Sequence, residues 1–478
     1  MNLSIKKANV LPKTDHIAVV TTDIGSIDRR LLKKNELEFV RKEVKKKSKL
    51  ISVNQYSRHV FICLVDVNGK DEHLVLEAYR RAGDSLTAAL NRLKAGSVCV
   101  TSKESADEVC AFAEGMMLGN YQFLKYKSNP ENNSLKKISV FATTIQQKEL
   151  DHTKTICEAV CHARDLVNEP VISLNATDLA NAFKSLGKDA GFSVKVLDKA
   201  KIKEMKMGGL LAVNMGSIDP PTFTIMEWKP AKHVNTKPFV LVGKGVVYDT
   251  GGLSLKPTPG SMDYMKCDMA GGAAVGAAMY AIAKLNLPLH VVALVPATDN
   301  RPDGNAYTPG DVITMMSGLK VEVLNTDAEG RMILADALHY AKRLQPELVM
   351  EFSTLTGAAA AAIGHYGIVA MGTCHEDTRK SLHKSGEMVY ERLAEFPFWD
   401  EYDDLIKSDV ADIKNIGGPM AGAITAGRFL KKFTDYPYMH FDIAGPAFGK
   451  GGDSYRGKNG TGVGVRLIIE FLKRQAAK

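Results

Sequence analysis

The sequence predicts an α/β protein of two domains, a small N-terminal α/β domain and a larger C-terminal domain with a mostly parallel central sheet flanked by helices. Three observations carry this expectation. At 478 residues the chain is longer than one ordinary hydrophobic core accommodates. Short runs rich in Val and Ile alternate with longer helical stretches in both halves, the pattern of strand–helix–strand units. A helical stretch then ends at Asn168-Glu169-Pro170, where proline disfavours helical geometry at the residue before it. The boundaries expected are 1–150 for the first domain, 151–170 for a connecting helix and 171–478 for the second.

Residues 16–22 and 59–67 read as buried strands. Between them, 29–49 is dense in Lys and Arg, with Leu31, Leu32, Leu37, Phe39 and Val44 interspersed. That segment reads either as a nucleic-acid patch or as a solvated helix and loop, and the second is the expectation. Helices follow at 74–94 and 106–121, and strands at 95–100 and 136–144. Beyond the connector, Thr177-Asp178 is expected to cap a helix running to about residue 190. Strands are expected at 192–197, 222–227, 239–243, 290–296, 348–352 and 438–443, with helices at 272–285 and 332–344 among them. In such sheets ligands bind beyond the carboxyl ends of the strands.

Composition excludes several classes. Hydrophobic content of 45% with 24% charged residues is that of a globular chain, and a formal charge of +8 spread over this length does not argue for a polyanion partner. Seven cysteines without regular spacing do not form a disulfide framework, and a reducing cytoplasm is expected. No apolar stretch is long enough for a membrane span, and residues 1–7 are not followed by a signal-peptide core.

The chemistry concentrates between Lys244 and Arg331. Asp249, Asp268, Asp327 and Glu329 each fall where a strand or loop meets the next element, with Lys244, Lys256 and Arg331 among them. Singly, each acid reads as a turn or helix cap. Together, four converging acids would repel by several kcal/mol unless cations neutralise them, and a pair of divalent metals does so directly. The reading is a two-metal hydrolytic site. There is no Cys/His cluster and no HExxH, so a structural or thermolysin-like zinc site is not supported, and carboxylates with one amine leave Mn, Zn and Co open. Gly243-Lys244-Gly245 has the spacing of neither a P-loop nor GxGxxG, and no GxSxG occurs.

Asn325-Thr326-Asp327-Ala328-Glu329-Gly330-Arg331 resembles, over its whole length, the signature of the cytosolic two-metal leucyl aminopeptidase family. Gly243-Lys244-Gly245 through Asp249 and Lys256, Met265-Lys266-Cys267-Asp268-Met269, Ala411-Asp412-Ile413-Lys414-Asn415, Ala421-Gly422-Ala423-Ile424-Thr425-Ala426 and His440-Phe441-Asp442-Ile443-Ala444-Gly445 resemble the other family blocks, in order. The resemblance covers residues 163–472 and implies a catalytic metallopeptidase domain there. It implies that Asp249 and Glu329 bridge two metals, Mn or Zn, that Asp327 completes the more exchangeable site, and that Lys244 and Asp268 complete the tighter one. Lys244 would then ligate as a neutral amine. The resemblance further implies that Lys256 stabilises the oxyanion formed as metal-activated hydroxide attacks, and that Arg331 holds a bicarbonate base. A side-chain pocket at Met265, Thr354, Gly357 and Ala444, peptide substrates cut from the N-terminus, and a homohexamer are implied too. Ala447 stands where some relatives carry Met, and the loop Thr258-Pro259-Gly260-Ser261 makes the connection from Lys256 to Asp268 one residue longer than usual, which would allow a wider pocket. Some members also bind DNA, so a DNA-binding regulator is the alternative; a two-metal phosphohydrolase is disfavoured for want of a phosphate-binding loop.

Overall fold

A computed structural model describes residues 3–12 and 15–477 and divides the chain into two compact units. The first comprises Met1–Cys161 with Gly451–Gly457. Its elements are β1 (Ser4–Lys7), β2 (His16–Thr21), α1 (Lys34–Lys45), β3 (Leu50–Asn54), β4 (His59–Leu64), α2 (Glu72–Arg92), β5 (Ser97–Ser102), α3 (Ala106–Gly119), β6 (Lys137–Phe141) and the first part of α4 (Gln147–Asn168). The strands form one sheet in the order β1-β6-β5-β2-β4-β3, parallel except where β3 meets β4.

The lysine-dense segment contains α1. Val40 is fully buried, and Leu31, Leu32, Leu37 and Val44 join Ile17, Ile51 and Val60 in one apolar cluster, so these residues face the sheet while Phe39 and most of the lysines stay exposed. Helices α2 and α3 touch backbone to backbone. A Cβ on Gly115 would stand 1.9 Å from the Arg80 carbonyl oxygen, so only glycine fits that position. Beside it, Arg80 Nε donates to Glu114 at 2.7 Å.

The second unit comprises His162–Lys450 and Lys458–Lys478. It begins within α4, which ends two residues before Pro170, as the proline predicts. Helix α5 (Ala176–Ala190) is capped by Asn175, whose side chain accepts from the Thr177 and Asp178 amides. The cap expected at Thr177-Asp178 is therefore corrected: those residues lie in the first turn, and Asp178 instead closes a capping box onto Asn175. There follow β7 (Ser193–Leu197), α6 (Lys199–Glu204), α7 (Gly208–Val213), β8 (Thr222–Trp228), β9 (Phe239–Gly243), β10 (Gly245–Asp249), α8 (Ala270–Lys284) and β11 (Val291–Asn300). After these come β12 (Val312–Thr314), β13 (Lys320–Glu322), α9 (Glu329–Ala341), β14 (Leu348–Ser353), α10 (Gly357–Ile363) and β15 (Ile368–Gly372). The unit closes with α11 (Glu376–Met388), β16 (Leu393–Glu395), β17 (Ile413–Lys414), α12 (Gly422–Lys431), β18 (Tyr438–Asp442) and α13 (Val465–Ala476).

The large sheet runs β16-β15-β18-β14-β9-β11-β8-β7, with β10 beside β11. Its centre, β18-β14-β9-β11-β10, is parallel, and antiparallel pairs occur only towards the edges. This is the α/β architecture expected. The strands carry continuous apolar runs because helices cover both faces. Helix α8 is buried from Ala270 to Ala283, and its small residues allow the closest approach: a Cβ on Gly271 would meet the Phe352 carbonyl at 1.9 Å. That contact brings the start of α8 against the ends of β9 and β14.

Helix α9 is held by a buried carboxylate. Asp336 Oδ2 accepts from the Leu210 amide at 3.0 Å and Oδ1 from the Met316 amide at 2.9 Å. Burial pushes this carboxyl up to about 7, against the pull of the Met316, Leu210 and Gly209 amides. A folded value above the unfolded one means that its contribution to stability is complete below about pH 4 and is lost as the pH rises through about 7. Asp336→Asn cannot ionise but sets an NH2 donor against one of the two backbone donors, so it should cost stability at low pH, and that cost should shrink between about pH 5 and about pH 8 by at most about 4 kcal/mol. Urea unfolding midpoints measure this, and a difference that stays constant over the range would contradict it.

Candidate metal centre

The acids meet at the carboxyl ends of the central strands. Lys244 follows β9, its amide donating to the Phe352 carbonyl at 3.1 Å while its own carbonyl accepts from Gly272 at 2.8 Å. Asp249 ends β10, and the next turn uses Gly251 and Gly252 at φ of 87° and 63°, conformations that side chains disfavour. Space requires them too, since a Cβ on Gly251 would lie 2.4 Å from the Ser254 carbonyl. Asp268 lies in the 3-10 segment leading into α8, and Glu329 opens α9. Gly330 lets that first turn close on Lys244, because a Cβ there would sit 2.5 Å from Lys244 Cε.

Oxygens of Asp249, Asp268 and Glu329 all lie within 4.8 Å of one another. Lys244 Nζ stands 2.9 Å from Asp268 Oδ1, 2.8 Å from Asp268 Oδ2 and 2.9 Å from Glu329 Oε1, and donates to the Thr354 carbonyl at 3.1 Å. Lys256 Nζ is 2.9 Å from Asp249 Oδ2 and also pairs with Asp327. Asp327 lies outside the close trio and reaches it through Lys256; its side chain is 32% exposed, against 2–5% for the other three acids. Arg331 is buried one turn into α9, with Nη1 donating to the Asn415 carbonyl at 2.7 Å and Nε lacking a hydrogen-bond partner.

Four carboxyl groups face two ammoniums, an excess of acid. The proton affinities reflect that crowding. Burial, with the charge of Glu329, raises Asp249, and burial raises Asp268 well above the ordinary carboxylate value. Burial, Asp249 and Glu329 lift Asp327 to about 7. Glu329 is the exception: Lys244 and Lys256 outweigh its burial and hold it low. Burial opposes the charge on both lysines, but the surrounding acids prevail and raise them. Among protein groups alone, then, Lys244 is an ammonium paired with acids; dications on the same oxygens would remove that upward pull. Burial brings Arg331 down to about 10.

The donor set fits divalent cations. Glu329 Oε2 is buried without a hydrogen-bond partner beside the other acids, an arrangement costly for a carboxylate unless a cation completes it. Oxygen donors with one nitrogen suit Mn and Zn.

The residues expected to receive a substrate side chain lie on three segments. Met265 is in the 3-10 segment before Asp268, Thr354 and Gly357 span the connection from β14 to α10, and Ala444 follows β18. The Thr354 hydroxyl donates to Asp268 Oδ1 at 2.8 Å. Sequence reasoning missed Asn300, whose amide donates to Asp249 Oδ1 at 2.8 Å and to the Thr326 carbonyl at 3.0 Å. The available signal was the polar tail Thr298-Asp299-Asn300 on an otherwise apolar strand. It also missed the buried pair of Glu351 and His440 on adjacent strands, where Glu351 more than offsets the downward pull of burial on His440.

Fold and site together define an α/β protein with a buried carboxylate cluster at the strand ends that could hold a metal ion. A model of the cytosol aminopeptidase family's catalytic domain matches residues 161–469, and one of its N-terminal domain matches residues 47–130. A probable cytosol aminopeptidase of Chlorobaculum tepidum is 46% identical over 433 residues, 85% of each chain. Another, of Geobacter sulfurreducens, is 46% identical over 374 residues, 76% of this chain and 74% of its own length. Among solved structures, the bottromycin maturation enzyme BotP in complex with Mn superposes with a TM-score of 0.87 at 29% identity, covering 97% of this chain and 100% of its own. A mutant of tomato leucine aminopeptidase superposes at 0.86 with 26% identity, covering 99% and 96%. The chain belongs to the cytosol aminopeptidase family, and it is a hydrolase of the leucyl aminopeptidase type.

Proposed function

We propose that this chain removes N-terminal, leucine-like residues from peptides with two divalent metal ions, Mn or Zn, at the centre described above. The observation that carries the proposal is the convergence of Asp249, Asp268 and Glu329 within 4.8 Å, buried and with Glu329 Oε2 unpartnered. Asp249, Asp268, Asp327 and Glu329, with Lys244, would hold the ions, Asp327 being the more exposed of them. Bound dications would supply Lewis acidity and an activated water, and would anchor the free α-amine of the substrate.

The remaining chemistry belongs to side chains of this protein. Lys256 stays charged beside Asp249 and Asp327 and is suited to stabilise the oxyanion of the attacked carbonyl. Arg331, buried with an unpartnered Nε, is suited to grip bicarbonate, which would take up the proton of the attacking water. Met265, Thr354, Gly357 and Ala444 would receive the substrate side chain. A homohexamer and a cytoplasmic location complete the reading. Among the described residues no helix is long and apolar enough to cross a membrane.

A panel of aminoacyl amides tests the activity. Metal-loaded protein should hydrolyse leucyl and methionyl amides and leave N-acetyl-leucyl amide intact. Turnover of no aminoacyl amide by folded, metal-loaded protein would refute it, and turnover of a phosphate ester instead would select the phosphohydrolase reading.

A further inference from the structure

Asp442 ends β18 opposite Ser353, the last residue of β14, and is buried. Its carboxylate is shared between two loops. Oδ1 accepts from the Leu355 amide at 3.2 Å and from the Ala444 amide at 3.1 Å, and Oδ2 accepts from the Thr356 hydroxyl at 2.7 Å. Thr356 in turn caps α10, its hydroxyl oxygen accepting from the Ala359 amide at 3.0 Å. The same two loops are joined by the Ile443 amide, which donates to the Ser353 carbonyl at 2.8 Å. The loop after β18 also packs against the far end of α10, since a Cβ on Gly445 would stand 2.1 Å from the Gly364 carbonyl.

The residue between these anchors matters. Thr354 is flanked by Ser353 and by Leu355-Thr356, so its position is set from both sides. From there its carbonyl meets Lys244 and its hydroxyl meets Asp268. One buried carboxylate therefore holds the loop bearing Thr354 and Gly357 against the loop bearing Ala444, two of the three segments that receive the substrate side chain.

We propose that Asp442 is a positioning residue that fixes the spacing of these two loops and so sets which N-terminal residues are accepted. The proposal rests on the placement of the side-chain pocket at Thr354, Gly357 and Ala444. A carboxylate suits this role because its two oxygens accept from all three donors at once, which leaves the loops little freedom. The effect should fall on substrates whose side chains reach between the loops.

The experiment compares Asp442→Ala, Asp442→Asn and Thr356→Val with wild type, each metal-loaded, on leucyl, methionyl and alanyl amides, with bound metal measured in parallel. In Asp442→Ala the KM for leucyl and methionyl amides should rise about tenfold or more, as expected when a positioning contact is lost. The alanyl amide, whose methyl group reaches little of the pocket, should change far less, and metal content should hold. Asp442→Asn should recover most of the loss, because its Oδ1 still accepts from Leu355 and Ala444. Thr356→Val removes only the bond to Oδ2 and should give a smaller shift in the same direction. A leucyl-to-alanyl ratio unchanged from wild type would overturn the proposal; so would an equal fall for all three amides. If Asp442→Ala does not fold, the same ratio in Asp442→Asn and Thr356→Val decides. Wild type inert towards all three amides would instead overturn the aminopeptidase function first, and the proposal with it.

Discussion

Asp249→Asn is expected to lower kcat/KM for a leucyl amide by about a thousandfold or more, equivalent to about 4 kcal/mol of transition-state stabilisation. Asp249 belongs to the acid cluster, with an oxygen within 4.8 Å of those of Asp268 and Glu329, and is paired to Lys256. Asparagine keeps an oxygen that can accept from Asn300 and from the Gly251 amide, so the turn after β10 should survive. What it loses is the charge that holds a cation. Stability should move the other way. Burial and Glu329 raise the folded-state value of Asp249 above that of an unfolded aspartate, so at neutral pH its ionised form costs stability. Chelator-treated Asp249→Asn should therefore unfold no more easily than wild type at about pH 8, and its advantage should shrink as the pH falls towards about 4. Loss of activity with stability retained marks a site shaped for function. Kinetics and thermal unfolding on the same preparations check both halves; activity within tenfold of wild type would remove Asp249 from the metal set.

The second large effect is expected at Lys256. Its ammonium lies between Asp249 and Asp327 with 14% of the side chain exposed, whereas Lys244 is enclosed at 3%. Lys256 is thus the lysine with access to a substrate carbonyl. Lys256→Met keeps the apolar stem and removes the charge. It should lower kcat about a hundred- to a thousandfold, the size found for loss of one oxyanion donor, with KM and metal content little changed. Lys256→Arg should not restore the rate, because a planar guanidinium cannot replace a compact ammonium between two carboxylates. A variant that loses metal but keeps kcat when metal is in excess would show that Lys256 only organises the acids.

Much of this was legible from residue order. Val- and Ile-rich runs located the central strands because a buried parallel sheet needs continuous apolar sequence, and Pro170 marked the end of α4. Asn325–Arg331 carried the resemblance that places the chain in its family. The acids could be grouped because Asp249, Asp268 and Glu329 all fall at strand or helix ends. The shorter strands were harder. β1 spans only four residues, and β10 follows β9 after the single residue Lys244, with no separate run to mark it. β3 was hidden directly behind the lysines of the segment containing α1.

The supporting polar residues were harder still, for a physical reason. Asn300, Asn415 and Asp442 act through partners far along the chain: Asn300 reaches Asp249 across 51 positions, and Asp442 reaches Thr356 across 86. Locally each resembles an ordinary loop or cap residue. Thr177-Asp178 shows the converse error, in which a good local capping pattern was shifted two residues from the true cap at Asn175. Lys244 shows how far context decides chemistry, since the same side chain is an ammonium among acids and would be a neutral ligand among dications.

Metal content against activity tests the central claim most directly. Protein stripped with a chelator, dialysed and titrated with Mn or Zn should take up two ions per chain, with hydrolysis of a leucyl amide absent at the start and restored as they bind. Undiminished hydrolysis by the stripped protein, or no uptake of either metal, would contradict it.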